Sequence, residues 1–202
     1  MKDEFIYSLT PEILYSIITD KLGGVVFTSP YLMNIAAVRD TDNPDEWNDL
    51  LIYFYFDDNG RCNIEYVPEF TTDPGLKYLN SPTNSSGTAI IVEGWYRKLW
   101  KLGLHKGQYE ALVQNTPIKV YRDNNKDDKL DLNPKSISEG MFGINLHRAN
   151  VNSKAEIVGP HSAGCCVVRN YSDWTKFMDK VHLCYDHGQR YWSLALVNKN
   201  NL

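Results

Sequence analysis

No stretch of this chain stays apolar for the roughly 18 residues that a membrane-spanning helix requires, which argues against membrane insertion. The start, MKDEFIYSLTPE, has acidic residues where a signal peptide would carry a basic region and then an apolar one, so the sequence shows no sign of Sec export. Cysteine is scarce: there are four, at 62, 165, 166 and 184, with no repeated Cys-x-x-Cys spacing. That excludes a disulfide framework as the default and leaves free thiols, each either inert packing or a nucleophile. Charge of one sign is also lacking, since acidic and basic residues interleave to a net charge of only -4. Nothing in that balance points to nucleic acid or an anionic membrane as a partner. No internal repeat, low-complexity tract or linker is present, and 202 residues suit one core, so residues 1–202 read as a single domain.

What is there is an ordinary globular composition, 43% hydrophobic and 12% aromatic, which sets aside disordered and fibrous classes. Thr10-Pro11-Glu12, then Ile13, Leu14, Ile17, Ile18 and Leu22 at helical spacing and Gly23-Gly24 after them, predict a short amphipathic helix. A second helix is expected over 172–185, with Ser172 as its cap and Trp174, Phe177, Met178, Val181 and Cys184 as a core stripe. Between them LLIYFYF, NIEYV, TAIIVEGWY, ALVQ, IKVYR and GINLH read as strands, with CCVV and YWSLALV adding two near the end. DDNG and NSSG are turns between them. The expected class is mainly β, a β-rich α+β domain with a helix at the start and another near the C-terminus.

Acyl transfer by cysteine needs a thiolate, an imidazole to take its proton, and donors aimed at the oxyanion. In GPHSAGCCVVRN, Ser162-Ala163-Gly164 brings small residues up to Cys165, so backbone could approach a substrate there. Upstream, GINLHRAN sets His147 at a strand end, with Asn145 two residues earlier on the same face and able to reach the imidazole region. Alternation turns Cys166 to the opposite face from Cys165, where it would pack with Val168. The same alternation speaks against a zinc site shared by His147, His161, Cys165 and Cys166. The residues alone leave two readings open: a Cys-His catalytic pair, or strand packing beside a satisfied polar histidine.

A strand ending in His147, followed eighteen residues on by Cys165 within Ser-Ala-Gly-Cys, resembles the signature of the L,D-transpeptidase catalytic domain. In that family His-Gly precedes a variable stretch and Ser-His-Gly-Cys. The order of the two residues separates this pattern from papain-like cell-wall endopeptidases, and their spacing separates it from sortases. HKGQYEALVQNTPIKVYRDNNKDDKLD and TTDPG at 71–75 extend the resemblance, over about residues 45–197, to phage-encoded proteins with this domain, several treated as lysis enzymes. The resemblance implies an L,D-transpeptidase-like β-sandwich or barrel, with residues 1–44 as N-terminal helix and lead-in and 45–197 as the catalytic region.

It further implies Cys165 as nucleophile, His147 as base, and the amides of Ala163, Gly164 and Cys165, following Ser162, as the oxyanion hole. The family orients its histidine through a nearby backbone carbonyl, for which Asn145 and Arg148 are the candidates. The implied activity is cleavage of peptide bonds in bacterial peptidoglycan stem peptides through a thioester. The alternatives are a transpeptidase that forms cross-links or exchanges D-amino acids, and a non-catalytic virion or wall-binding protein. The absence of a visible signal favours hydrolysis, by a protein made in the host cytoplasm and released to the wall or carried in the virion. A reactive Cys165 is expected to have a depressed pKa and to alkylate fast near neutral pH.

Two positions depart from the family: its His-Gly is His147-Arg148 here, and its second histidine is replaced by Ala163. His161 could compensate or simply lie at the surface. His105 and Tyr109, in HKGQY, are candidates for lining a substrate groove, and Lys106, Arg122, Arg148 and Arg169 for meeting a stem-peptide carboxylate. No cofactor is required for this chemistry. Asp123, Asn125, Asp127 and Asp131 place oxygen ligands at positions 1, 3, 5 and 9 of a calcium-like loop. Position 6 is Asp128 instead of glycine and position 12 is Pro134 instead of glutamate, so a structural calcium site and a solvated turn both remain readings.

Overall fold

The apolar runs of this chain are strands that bury one face or both. In the computed structural model, which describes residues 3–202, eleven strands form between the helices. They are β1 (Asn34–Arg39), β2 (Asp49–Phe56), β3 (Cys62–Thr71), β4 (Thr88–Ile91), β5 (Gly94–His105), β6 (Tyr109–Gln114), β7 (Ile118–Asp123), β8 (Ser138–Gly140), β9 (Leu146–Arg148), β10 (Cys166–Val168) and β11 (Trp192–Asn198). Eight close into a barrel in the order β1-β11-β5-β6-β9-β10-β3-β2, and β4-β7-β8 form a separate sheet. The pairs β1–β11 and β9–β10 are parallel and the other neighbours antiparallel. The fold is thus mainly β, as expected.

Along the chain, α1 (Asp3–Ser8) and α2 (Pro11–Ser16) precede the barrel, α3 (Leu76–Asn80) follows β3, and α4 (Tyr171–Asp186) lies between β10 and β11. Thr10 caps α2 through the Ile13 amide, and the helix widens into a π turn over Ile17–Lys21 before Gly23, whose φ of 63° ends it. Its apolar residues cover Ala36, Val38, Leu50, Ile52, Phe54, Ala195 and Val197 on β1, β2 and β11. The opposite faces of those strands join Trp100, Trp192 and the α4 stripe in the main core. Burial on both faces explains why LLIYFYF and the β11 run read as continuous apolar segments.

All five expected stripe residues of α4 are buried. The helix begins at Tyr171, however, with Asn170 at the N-cap and Ser172 inside the first turn. The Asn170 side chain donates to Glu69 and Asp173 and leaves the helix amides uncapped. TAIIVEGWY divides between β4 in the small sheet and β5 in the barrel, with Gly94 at the join. GINLH is strand only from Leu146, and β10 starts one residue after Cys165. β1 lies inside the stretch read as lead-in and completes the barrel between β11 and β2.

Candidate active site

The parallel pair β9–β10 sets the geometry. Val167 lies opposite His147 and Cys166 opposite Leu146, and the Cys166 amide donates to the Asn145 carbonyl at 2.9 Å. Leu146, Cys166 and Val168 belong to the main core, whereas Cys165 and Val167 pack with Trp47, Ala149, Ala155 and Val158. Alternation therefore places Cys165 and His147 on one outer face, with Cys166 turned inward against Val168 as expected. One strand spacing across and two residues along put the Cα atoms of Cys165 and His147 about 8 Å apart, a separation their side chains can bridge.

His147 is almost completely buried, and its ring is fixed from three sides. Its Nδ1 lies 2.8 Å from the Arg148 carbonyl oxygen, which can only accept, so Nδ1 carries the hydrogen and Nε2 the lone pair. The Tyr109 hydroxyl donates to the same carbonyl at 3.2 Å and sits 3.3 Å from Nδ1. The His105 ring stacks on His147 with centroids 3.9 Å apart. Of the two orienting candidates, Arg148 supplies the carbonyl. Asn145 instead holds His105, its Nδ2 donating to His105 Nδ1 at 3.1 Å, while its Oδ1 accepts from the Gln114 amide at 2.9 Å. The hairpin of β5 and β6 brings His105 and Tyr109 here, turning through Lys106 and Gly107 at positive φ.

This environment favours neutral groups. Burial, then the neighbouring His105, and further Lys106 and His161, pull the His147 pKa down to about 3, against the opposing pull of the Arg148 carbonyl. Burial pushes the Cys165 thiol above its ordinary value, and the Asn145 backbone N–H and Lys106 offset this only in part. The expected depressed thiol pKa is therefore reversed: among the described residues no carboxylate stands by to hold an imidazolium, and the positive field is too weak to hold a thiolate. The thiol donates to the Gly143 carbonyl at 3.4 Å and makes no hydrogen bond to His147 among the described residues.

The Ser-Ala-Gly-Cys turn is held by its own side chain. Ser162, fully buried, donates through Oγ to the Cys165 carbonyl at 2.8 Å and accepts the Gly164 amide at 3.2 Å. Gly164 is thus occupied and does not serve as an oxyanion donor in this conformation. Among the described residues the amides of Ala163 and Cys165 have no protein acceptor, so these two are free to donate to a ligand. Gly164 has φ of 121°, and a Cβ there would stand 2.4 Å from the Ala89 carbonyl oxygen, so β4 of the small sheet abuts the turn.

The other candidates are dispersed. His161 sits on the short 3-10 turn Gly159–His161, tilted against Trp47 at 6.2 Å, near enough to His147 to disfavour its protonation. The Arg148 guanidinium lies 3.9 Å over the Tyr109 ring, and Arg169 pairs with Glu69 at 2.6 Å. In the acidic loop, Asp123 is buried with Oδ2 accepting the Asp131 amide at 2.9 Å and Oδ1 unpartnered. Asn125 and Asp127 bond to each other, and no three His, Cys, Asp or Glu side chains among the described residues converge on a metal position. The loop thus fits a calcium ion through one orphaned oxygen only.

Three supports went unread in the sequence. Asp45 accepts the amides of Leu76 at 3.0 Å and Gly159 at 2.6 Å, tying TTDPG to the turn before Cys165. The Gln114 side-chain oxygen accepts the amides of Phe142 and Ile144, and Trp100 Nε1 donates to the Ile144 carbonyl. All three fix backbone through side chains distant in sequence, which leaves no local pattern to find. No helix among the described residues is long and apolar enough to cross a membrane. Comparisons of the chain with protein-family models, with curated proteins and with solved structures find no match.

Proposed function

We propose that this protein cleaves peptide bonds in bacterial peptidoglycan stem peptides through a Cys165 thioester, in the service of phage lysis or wall degradation. One observation carries the reading beyond the resemblance: a buried imidazole, its Nδ1–H locked to the Arg148 carbonyl, keeps its Nε2 lone pair on the face it shares with Cys165. In this mechanism His147 Nε2 takes the thiol proton as Sγ bonds the scissile carbonyl carbon, and the Ala163 and Cys165 amides receive the oxyanion. Collapse of the intermediate breaks the C–N bond while His147 returns the proton to the leaving amine. Water then attacks the thioester, with His147 passing its proton back to Sγ. Because thiol and imidazole both start neutral, proton transfer accompanies attack instead of preceding it.

The thiol's bond to the Gly143 carbonyl favours a second reading, a wall-binding protein that keeps the fold without the chemistry. Mass spectrometry of purified peptidoglycan incubated with the protein separates them. Smaller soluble fragments with wild type and Cys166→Ala, and none with Cys165→Ala, support hydrolysis. Exchanged terminal D-amino acids indicate a transpeptidase, and unchanged peptidoglycan with wild type indicates a binder.

A further inference from the structure

Beside the Ser-Ala-Gly-Cys turn lies a cavity of about 320 Å³, lined on one side by Ala163 and on the other by Thr83, Asn84, Thr88, Phe142 and Arg122. Arg122, on β7, is partly buried. Its Nε donates to Ser138 Oγ at 3.0 Å, one terminal nitrogen donates to the Gly87 carbonyl at 3.2 Å, and its plane lies 4.3 Å over the Phe142 ring. These contacts fix the guanidinium and use neutral partners only. Among the described residues no carboxylate pairs with it, and burial without such a partner lowers its pKa.

The other cations singled out in the sequence are committed elsewhere. Arg169 is held by Glu69, Arg148 stacks on Tyr109 and donates to the Ala149 carbonyl, and Lys106 belongs to the β5–β6 turn beside His105. Arg39, which has no exposed surface, is paired with Asp73 and Glu93. Arg148 and Arg190 also lack a carboxylate partner among the described residues but line other cavities, and Arg122 is the fixed, unmatched cation in the cavity that Ala163 borders. A guanidinium set in this way recognises planar anions, and carboxylate is the anion that a peptide brings.

We propose that Arg122 forms a carboxylate subsite for the peptide substrate, filling the cavity that Ala163 shares with the turn before Cys165. The proposal rests on the peptidoglycan reading and adds to it the substrate feature that the protein selects. Stem peptides offer free carboxylates that bacteria mask as amides, so the subsite would discriminate between these forms. A carboxylate here satisfies Arg122 and sets the peptide's backbone beside the free Ala163 amide.

Binding to the Cys165→Ala protein tests this without relying on turnover. The probes are a synthetic stem tetrapeptide with every carboxylate free and versions amidated one carboxyl at a time, followed by calorimetry. One amidation is expected to weaken binding roughly tenfold, the scale of one charge-assisted hydrogen-bonded pair. Adding Arg122→Met should erase that difference, and Arg122→Lys, which keeps the charge, should retain part of it. Equal affinity for acid and amides, or a preference that survives Arg122→Met in a protein with unchanged circular dichroism, overturns the subsite. No binding by any tetrapeptide overturns the peptidoglycan reading itself and the subsite with it.

Discussion

At the scale of single residues, the site's chemistry is decided by charges that are missing. A thiolate–imidazolium pair needs a field that lowers the thiol and lifts the imidazole, and here burial moves each the other way. Iodoacetamide at pH 7 is therefore expected to alkylate Cys165 more slowly than a free cysteine peptide, with the rate climbing beyond pH 9. A rate at pH 7 well above the peptide's would show that the thiol is depressed after all. The same electrostatics bear on turnover: release of peptidoglycan fragments should show no acid limb from His147 near pH 6.5, because its folded pKa is about 3. An inflection near 6.5 in kcat/KM would contradict the neutral site. A substrate carboxylate entering among Lys106, His105 and His161 would offset their pull on His147, so binding itself would improve the base.

At the scale of elements, the turn before Cys165 is tightly constrained backbone, with Gly164 at positive φ against the Ala89 carbonyl. Gly164→Ala introduces a Cβ into the Ala89 carbonyl at a φ of 121°, which should cost about 1–3 kcal/mol in denaturant unfolding and abolish fragment release. Ala163 is exposed, so Ala163→His, which creates the Ser-His-Gly-Cys of the L,D-transpeptidase pattern, should leave stability within about 0.5 kcal/mol; a loss as large as that of Gly164→Ala would mean the turn is constrained throughout. These elements also mark how far the sequence can be read. Alternation in CCVV assigns Cys165 outward and Cys166 inward, and the helical period exposes the α4 stripe, because both patterns follow from local geometry. NIAAVR escaped as β1 because burial on both faces removes its alternation and its two alanines weaken the strand signal. His105 against His147 escaped because it depends on which strands become neighbours, and Asn145 followed it away from the expected partner.

At the scale of the whole molecule, closing the barrel brings four chain segments to one buried cluster. Arg39 ends β1, Asp49 opens β2, Asp73 follows β3 and Glu93 follows β4. Arg39 Nε lies 2.8 Å from Asp73 Oδ1 yet donates its hydrogen to Thr72 Oγ1, and Asp49 accepts the Thr72 amide and hydroxyl. One guanidinium cannot stabilise both buried carboxylates, Asp49 and Asp73, in ionised form, so burial pushes Asp73 up to about 8, against the pull of Arg39. Between its ordinary 3.8 and about 8, the folded protein holds a proton that the unfolded chain has released, and stability falls as pH rises through that window. His147 acts oppositely: below 6.5 the unfolded chain binds a proton that the fold refuses down to about 3, and stability is lost on acidification. The two slopes oppose one another from about pH 4 to 6.5, and above 6.5 only the Asp73 slope remains. The Tm should therefore change little across the lower interval and drop by about 2–4 °C between pH 6.5 and 8, the shift that roughly 1 kcal/mol produces in a chain of this size. Asp73→Asn holds the position neutral at every pH and should remove that drop while leaving the His147 slope unopposed, so that its Tm falls as the pH is lowered from 6.5 to about 4. If calorimetry finds the same decline in Asp73→Asn as in wild type, the proton resides elsewhere in the cluster, and Asp49→Asn becomes the variant that removes it.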